Sequence, residues 1–157
     1  SDGAWYYEQI ELGFNYRITE LQAALGLSQL SRLDEFIKRR HALAKIYNKT
    51  LANTEIRPLT QTSDCYSSYH LYVVLLPKHV CRKTIFDKLK AQGLGVNVHY
   101  IPIHLQPFYR QQGFKHGDYP QAETYYEQAI TLPLHPQLSD DDILYICQQL
   151  IAGIELA

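Results

Sequence analysis

The chain has 157 residues, a formal net charge of −1 and a sequence isoelectric point of about 6.6, values that suit one domain with a sizeable core. The absence of a basic stripe and of any long run of like charges excludes nucleic acid as the expected partner. The sequence has neither an apolar run of membrane-spanning length nor the layout of a signal peptide, so we expect no membrane partner.

The cysteines, the histidines and the absence of methionine give expectations about the redox compartment, metal binding and the extent of the chain. Cys65, Cys81 and Cys147 are scattered, odd in number and without metal-ligand spacing, so we interpret them as reduced thiols of a cytoplasmic protein. The histidines form no i, i+4 pair and no known motif with carboxylates, so no metal site is expected. Methionine is absent even at position 1, which indicates a fragment of a longer protein, and the reading frame of the gene would test this expectation.

Polar side chains precede the first predicted helix. Gly13 permits a tight turn, Asn15 supplies an amide donor, and Arg17 supplies a two-pronged cation suited to phosphate or carboxylate. Thr19 fits the N-cap, and Gln22 completes a capping box. The stretch therefore has the layout of an anion-binding corner at a helix N-terminus. On spacing alone, the alternative in which Asn15 is a turn residue and Arg17 a surface charge is favoured.

Helical periodicity dominates the first third of the chain. Apolar residues spaced by three and four predict a helix over Thr19–Leu30, and Ser31 with Asp34 signals a break before a second helix that ends near Leu51. The apolar stripe of this second helix consists of Leu33, Ile37, Ala44, Tyr47 and Leu51. Its opposite face is basic and is interpreted as a solvated surface, formed by Lys38, Arg39, Arg40 and Lys45.

The remaining elements predict a small sheet packed with helices. A run with little alternation predicts a strand over 68–76 that is covered on both faces, and clean alternation predicts a second strand over 94–101. After the polar, turn-like residues 53–67, helices are expected over 80–92, over 120–130 and from the Ser139–Asp142 capping signal onward. This order predicts an α+β fold with a small, antiparallel sheet.

A second polar cluster lies where the second predicted strand ends, in the sequence HYIPIH over 99–104. Strand ends that lead into long loops are common places for ligand contacts. Alternation sends His99 and Tyr100 to opposite faces, so one could face a ligand while the other packs, and both groups can bind sugar hydroxyls or diphosphate oxygens. On spacing alone, a satisfied core histidine beside a structural tyrosine is the favoured alternative.

The chain resembles the DegT-type sugar aminotransferases in the segments GFNYRITELQAALGLSQLSRLDEF, SSYHLYVVLLP, VNVHYIPIHLQPFY, YPQAETYYEQAITLPLHP and LSDDDI. Members of this family use pyridoxal 5′-phosphate (PLP), have fold type I and aminate keto sugars on nucleotide carriers. The resemblance implies a single C-terminal small domain, with residues 1–18 leading in from a large domain and residues 19–157 forming the small domain.

Within the family, HYIPIHLQPFYR and GFKHGDYPQAE are most similar to the pseudaminic-acid branch. That likeness implies transfer of an amino group from glutamate to C4 of a UDP-linked 4-keto-6-deoxy-hexosamine.

The resemblance also implies roles for two groups of residues. The segment matching Asn15–Arg17 reaches across a homodimer interface toward the neighbouring subunit's cofactor phosphate and substrate, which implies cofactor contacts by Asn15 and Arg17 and a substrate contact by Asn15. The segment matching residues 99–104 lines the nucleotide-sugar site. The implied substrate contacts there are His99, Tyr100, Ile101, Pro102 and His104.

A transaminase of this kind needs a lysine that forms a Schiff base with PLP. The family's Schiff-base motif would fall upstream of Ser1, and it is matched by none of Lys38, Lys45, Lys49, Lys78, Lys83, Lys88, Lys90 and Lys115. We therefore predict that this chain contains no catalytic residue, binds PLP weakly or not at all, and has no transaminase activity alone.

Two other interpretations stay open: a non-catalytic nucleotide-sugar-binding module and a dimerisation domain. A small domain separated from its large domain should expose apolar surface, so we expect dimers or higher association.

Overall fold

The computed structural model describes Glu8, residues 10–14 and residues 16–155. One compact unit ends at Leu33 and a second begins at Asp34. The helices are α1 (Glu20–Leu30), α2 (Leu33–Leu51), α3 (Arg82–Ala91), α4 (Pro107–Arg110), α5 (Pro120–Gln128) and α6 (Asp140–Glu155), with a 3₁₀ turn at Ile103–Leu105. The strands are β1 (Arg57–Pro58), β2 (Tyr72–Leu75) and β3 (Ala129–Leu132).

The first unit contains α1, which begins as predicted. The Thr19 hydroxyl accepts from the Gln22 backbone N–H at 3.3 Å, and Gln22 Oε1 accepts from the Thr19 backbone N–H at 3.0 Å. This reciprocal pair satisfies two donors that a helix N-terminus leaves without intrahelical partners. The predicted break after Leu30 is also present, because Ser31 and Arg32 form a turn before α2. None of the residues of α1 is buried.

The sheet is antiparallel, with β2 between β1 and β3. Tyr72 pairs with Leu132 and Leu75 with Ala129, and the side chains of β3 are buried. The predicted α+β class with a small antiparallel sheet is therefore confirmed. The first predicted strand is shorter than expected, because only 72–75 of the interval 68–76 pairs.

The prediction of a strand over 94–101 was wrong. Asn97 exchanges backbone hydrogen bonds with Thr131 at 3.1 and 2.8 Å, and three other N–H donors of this segment have local partners. The Leu94 N–H donates to the last turn of α3, the Val96 N–H donates to the Leu94 carbonyl, and the Val98 N–H donates to the Asn97 side chain. A strand ladder cannot form where its N–H groups are already used locally.

The third strand instead lies where the sequence indicated the end of a helix. The α5 helix begins at Pro120 as predicted, but it ends at Gln128, and Ala129 already has extended backbone angles. The four residues of β3 are buried on all sides, which favours apolar and β-branched side chains. The helix prediction to Ile130 therefore ran two residues too far.

The core of the second unit packs helices α2, α3 and α6 against the sheet. Its fully buried large side chains are Leu43, Tyr47, Leu51, Val74, Leu76, Ile85, Leu89, Val96, Ile130, Leu132, Ile143 and Leu150. The α6 helix starts at the predicted cap, where Asp142 Oδ2 accepts from the Ser139 backbone N–H at 2.8 Å and the Ser139 hydroxyl accepts from the Asp142 N–H at 3.1 Å.

The interpretation of the basic face of α2 as solvated was wrong for two arginines. Arg40 Nη1 donates to the carbonyl oxygens of Tyr69 and Leu134, both at 2.8 Å. Arg39 Nη2 donates to the Leu138 carbonyl at 2.6 Å, and its Nη1 pairs with Asp140 at 2.9 Å. These guanidinium groups satisfy carbonyls of loops that the sequence places far away, so they stabilise the fold.

In the part of the chain that the structure describes, no helix is both long and apolar enough to cross a membrane. Across the same part, Cys65 and Cys81 are exposed free thiols and Cys147 is a buried one.

Candidate functional site

His99 is held in place by side chains on both of its ring nitrogens. Its Nδ1 lies 2.8 Å from Thr131 Oγ1, and its Nε2 lies 3.3 Å from Asn97 Nδ2. Because an amide nitrogen only donates, Nε2 accepts and the Nδ1–H donates to the threonine hydroxyl. The Tyr125 hydroxyl also donates to the His99 carbonyl at 3.2 Å. The start of the predicted substrate segment is thus fixed to β3 and α5.

Tyr100 and its neighbours form the exposed part of the segment. The Tyr100 side chain is 71% exposed, Ile101 and Ile103 are also exposed, and Pro102 between them is buried. The peptide bond between His99 and Tyr100 is cis, and the two rings meet edge to face with centroids 4.6 Å apart. The phenol of Tyr100 is therefore the polar group of this segment that is most accessible to a ligand.

His104 lies buried at the far end of the segment and pairs with a carboxylate. Its Nε2 lies 2.7 Å from Oε1 of Glu123, and the two residues are 7% and 5% exposed. Because an ionised carboxylate only accepts, the imidazole donates in this bond. A buried carboxylate is tolerated when it is paired and hydrogen-bonded, and Glu123 meets that condition.

Glu123 collects further donors from the turn that precedes α5. Its two oxygens accept from the Gly117 N–H at 2.9 and 3.0 Å, the Tyr119 N–H lies 3.4 Å from Oε1, and His116 Nδ1 lies 3.3 Å from Oε2. Burial raises the pKa of Glu123, but the hydrogen bonds from His104, Gly117 and Tyr119, helped by His116, outweigh it and hold the pKa below its usual value. One carboxylate therefore joins the 3₁₀ turn, residues 115–119 and α5.

A cavity of about 450 Å³ opens beside His104. Its described lining is mainly aromatic and aliphatic and consists of Ile103, His104, Tyr109, Phe114, Tyr119 and Ala122. The ring centroids of Phe114 lie 6.4 Å from Tyr109 and 6.3 Å from Tyr119, and those of His104 and Tyr119 are 4.8 Å apart. Such a lining suits a neutral, largely apolar group.

The predicted phosphate corner belongs to the first unit. Asn15 lies outside the described residues. Arg17 is exposed and precedes the N-cap of α1 by two residues. Phe14 and Tyr16, on either side of Asn15 in sequence, stack with centroids 5.8 Å apart. An exposed guanidinium ahead of a capped helix N-terminus has the chemistry to bind a phosphate.

PLP binding requires a cation or backbone N–H groups for the cofactor phosphate, and the lysines and arginines of the described residues differ in how well they meet that requirement. No lysine or arginine is found among the described residues lining the cavity, so that cavity does not offer a cation for the cofactor phosphate. On α3, Lys83 pairs with Asp87 and Lys88 donates to the Gly153 carbonyl. Arg17 is the predicted group whose chemistry and exposure fit a phosphate contact. Within the described ranges, no cluster of three or more His, Cys, Asp or Glu could hold a metal ion.

The residues that sequence reasoning missed are the partners of the two histidines. Thr131 and Asn97 engage His99, and Glu123 engages His104, which lies 19 residues earlier in the chain. A glutamate just inside a helix that starts with proline is ordinarily explained by the helix dipole. Nothing in the local pattern around Glu123 pointed to a buried histidine as its partner.

Comparisons with known proteins agree with this architecture. A model of the DegT/DnrJ/EryC1/StrS aminotransferase family matches residues 2–151. SpsC of Bacillus subtilis, a spore coat polysaccharide biosynthesis protein, is 39% identical over 150 residues, which are 91% of this chain and 38% of SpsC.

Two solved structures of aminotransferases also resemble this chain. The candidate sugar aminotransferase Spr1654 of Streptococcus pneumoniae, in its PLP form, superposes with a TM-score of 0.86 at 32% identity, covering 98% of this chain and 40% of Spr1654. Helicobacter pylori PseC, an aminotransferase involved in pseudaminic acid biosynthesis, gives a TM-score of 0.85 at 30% identity, covering 100% of this chain and 43% of PseC. The chain spans less than half the length of each of these relatives, and its three-stranded sheet with helices matches the aminotransferase C-terminal domain.

Proposed function

The chain belongs to the DegT/DnrJ/EryC1/StrS aminotransferase family, and from that premise we propose that it is the C-terminal small domain of a PLP-dependent aminotransferase acting on a nucleotide sugar. When bound, PLP supplies the electron sink for moving an amino group. The part of this chain is to bind and orient the substrate and to contact the cofactor phosphate. Catalytic groups, including the Schiff-base lysine, are proposed to lie outside this chain.

The proposed reaction transfers an amino group from glutamate to C4 of a UDP-linked 4-keto-6-deoxy-hexosamine, as in pseudaminic acid biosynthesis. Support comes from the likeness to PseC and from the segments HYIPIHLQPFYR and GFKHGDYPQAE. The cytoplasm is the proposed location, because the three cysteines have neither disulfide nor metal spacing.

The observation that carries the proposal is the way in which residues 99–104 are held. His99 is fixed by Thr131 and Asn97, and His104 is fixed by Glu123, so the exposed Tyr100 is presented on a segment anchored at both ends. Anchoring of this kind preorganises a site and lowers the entropic cost of binding. The proposed contacts are the Tyr100 phenol, the main chain of 100–102 and the bordering rings of the two histidines.

A homodimer with shared active sites is the proposed assembly. In it, Asn15 and Arg17 contact the phosphate of the neighbouring subunit's cofactor, and Asn15 also contacts substrate. The exposed leucines of α1 support a protein–protein interface there, since Leu21 is 81% exposed and Leu25 and Leu30 are each 62% exposed. A sedimentation-velocity measurement checks the assembly, and a strictly monomeric protein at high concentration would contradict it.

The decisive experiment incubates the full-length protein with glutamate, PLP and a panel of UDP- and dTDP-linked 4-keto-6-deoxy sugars, with amino-sugar products identified by mass spectrometry and NMR. Amination at C4 of the UDP-hexosamine supports the proposed reaction. Amination of a different sugar would support the aminotransferase activity and contradict the proposed substrate. No amination of any sugar, together with tight binding of UDP-sugars, would favour the non-catalytic binding module.

A further inference from the structure

The cavity beside His104 has the size and the access of a small-molecule subsite. Its volume of about 450 Å³ falls in the range of ligand pockets. Tyr109, Phe114 and Tyr119 are 38%, 37% and 51% exposed, so their rings border an opening that a ligand can enter from solvent. All of the described lining residues lie in the second unit.

The residues that line the cavity suit neither the diphosphate nor the hexose of a nucleotide sugar. No described lining residue carries a cation for the diphosphate, and the nearby carboxylate of Glu123 is directed at His104 and at backbone N–H groups. A hexose presents several hydroxyls that need hydrogen-bonding partners, whereas this lining is mainly hydrocarbon and aromatic ring. A nucleobase is planar and stacks on aromatic side chains.

His104 supplies a polar atom for the same ligand. Its Nε2 is committed to Glu123, and no described residue engages its Nδ1. In a neutral imidazole whose Nε2 carries the proton, Nδ1 accepts a hydrogen bond. A ring N–H of a nucleobase is a donor of the matching kind. The bond to Glu123 makes Nε2 the donating nitrogen, and the His104 ring lies beside Tyr119 with centroids 4.8 Å apart.

We propose that the cavity lined by Ile103, His104, Tyr109, Phe114, Tyr119 and Ala122 is the subsite for the nucleobase of the nucleotide sugar. The base stacks against the Phe114 and Tyr119 rings and donates a ring N–H to His104 Nδ1. The proposal rests on the proposed function for one point, namely that the substrate is a nucleotide sugar. It adds where the base lies and which residues recognise it.

The first test uses this chain itself, whose mass of 18.2 kDa suits solution NMR. Uridine and guanosine are titrated into labelled protein, with ribose 5-phosphate as a probe that lacks a base. The expected result is saturable, millimolar or tighter binding of at least one nucleoside, with shifts concentrated at His104, Phe114 and Tyr119 and absent with ribose 5-phosphate. Equal shifts with ribose 5-phosphate, shifts centred elsewhere or no nucleoside binding would each overturn the proposal.

A matched pair of variants gives the second test. Phe114→Ala removes a cavity wall, whereas Phe108→Ala removes a 65% exposed ring from the same segment that does not line the cavity. Loss of one stacking ring should weaken nucleoside binding about tenfold in Phe114→Ala and leave it unchanged in Phe108→Ala. Equal affinities in the two variants would sink the assignment.

The two proposals fail in different ways. The titration contains no amino donor, PLP or keto sugar, so it reads the base subsite alone. Amination by the full-length enzyme without any nucleoside contact at this cavity would leave the function in place and reject the subsite. Nucleoside binding at this cavity without amination of any sugar would keep the subsite and reject the aminotransferase function.

Discussion

Replacing Thr131 by Val tests whether the anchoring of His99 matters for substrate binding. Valine keeps the branched shape that suits the buried strand β3 but lacks the hydroxyl that accepts from His99 Nδ1 at 2.8 Å. A hydrogen bond of this kind contributes about 1 kcal/mol to stability. We therefore expect a melting temperature lower by about 2–4 °C. If the same free energy also holds the substrate segment in place, the apparent affinity for the nucleotide sugar falls about fivefold.

Thr54→Val provides the matched control for this substitution. The Thr54 hydroxyl donates to the Leu51 carbonyl at 2.8 Å and accepts from the Ile56 N–H at 3.2 Å, and it lies outside the 97–104 segment. Its loss should lower stability by about 1 kcal/mol or slightly more. Both variants are compared by thermal melting and by the KM of the full-length enzyme for its nucleotide sugar. If the KM rises equally in both, or in neither, the anchoring argument is refuted.

Three further predictions concern the fold around the site. Glu123→Gln should flatten the dependence of melting temperature on pH in acid. Because the folded-state pKa of Glu123 is lowered, its contribution to stability is fully present above the pKa of the unfolded carboxyl and is lost as the pH falls through the folded-state pKa. Parallel curves of melting temperature against pH for the variant and the wild type would contradict this. Arg40→Ala should lower the free energy of unfolding by about 2 kcal/mol in urea titrations, since it removes the guanidinium that donates to the carbonyls of Tyr69, His70 and Leu134. The control Lys38→Ala, at an exposed position, should change it by less than about 0.5 kcal/mol. Leu89→Ala, at a fully buried position, should cost about 2–5 kcal/mol in the same assay, and a cost as small as that of Leu27→Ala, at a 72% exposed position, would refute the assigned core.

Local signals in the sequence were sufficient for the starts of α1 and α6, where both capping partners lie within a few residues. The capping boxes of Thr19 with Gln22 and of Ser139 with Asp142 span three residues each, and both are formed as predicted. Gly93 ends the third helix with a φ of 78°, a left-handed conformation that favours glycine. The antiparallel α+β class also followed from the order of helical and extended patterns.

Strand assignments failed where pairing depends on distant partners. Residues 94–101 alternate as a strand does, yet the N–H groups of Leu94, Val96 and Val98 bond to α3 or within the segment, and Asn97 provides the described backbone pairing with Thr131. The strand that does complete the sheet, β3, follows a helix without a break, so the helical pattern concealed its start. Alternation reports which faces a segment could bury, whereas a ladder also needs a neighbour with unused donors and acceptors.

The same dependence on distant partners explains what the sequence conveyed about the candidate site. The cluster at 99–104 stood out because its residue types bind sugars and phosphates, and the structure places Tyr100 in solvent as such a role needs. Whether a histidine in that cluster binds a ligand through a given nitrogen depends on partners 32 and 19 residues away, Thr131 for His99 and Glu123 for His104. Since those partners occupy Nδ1 of one ring and Nε2 of the other, both histidines anchor the segment, and no described residue engages Nδ1 of His104. Anchoring and ligand contact, which the sequence alone posed as alternatives, are therefore compatible in one residue.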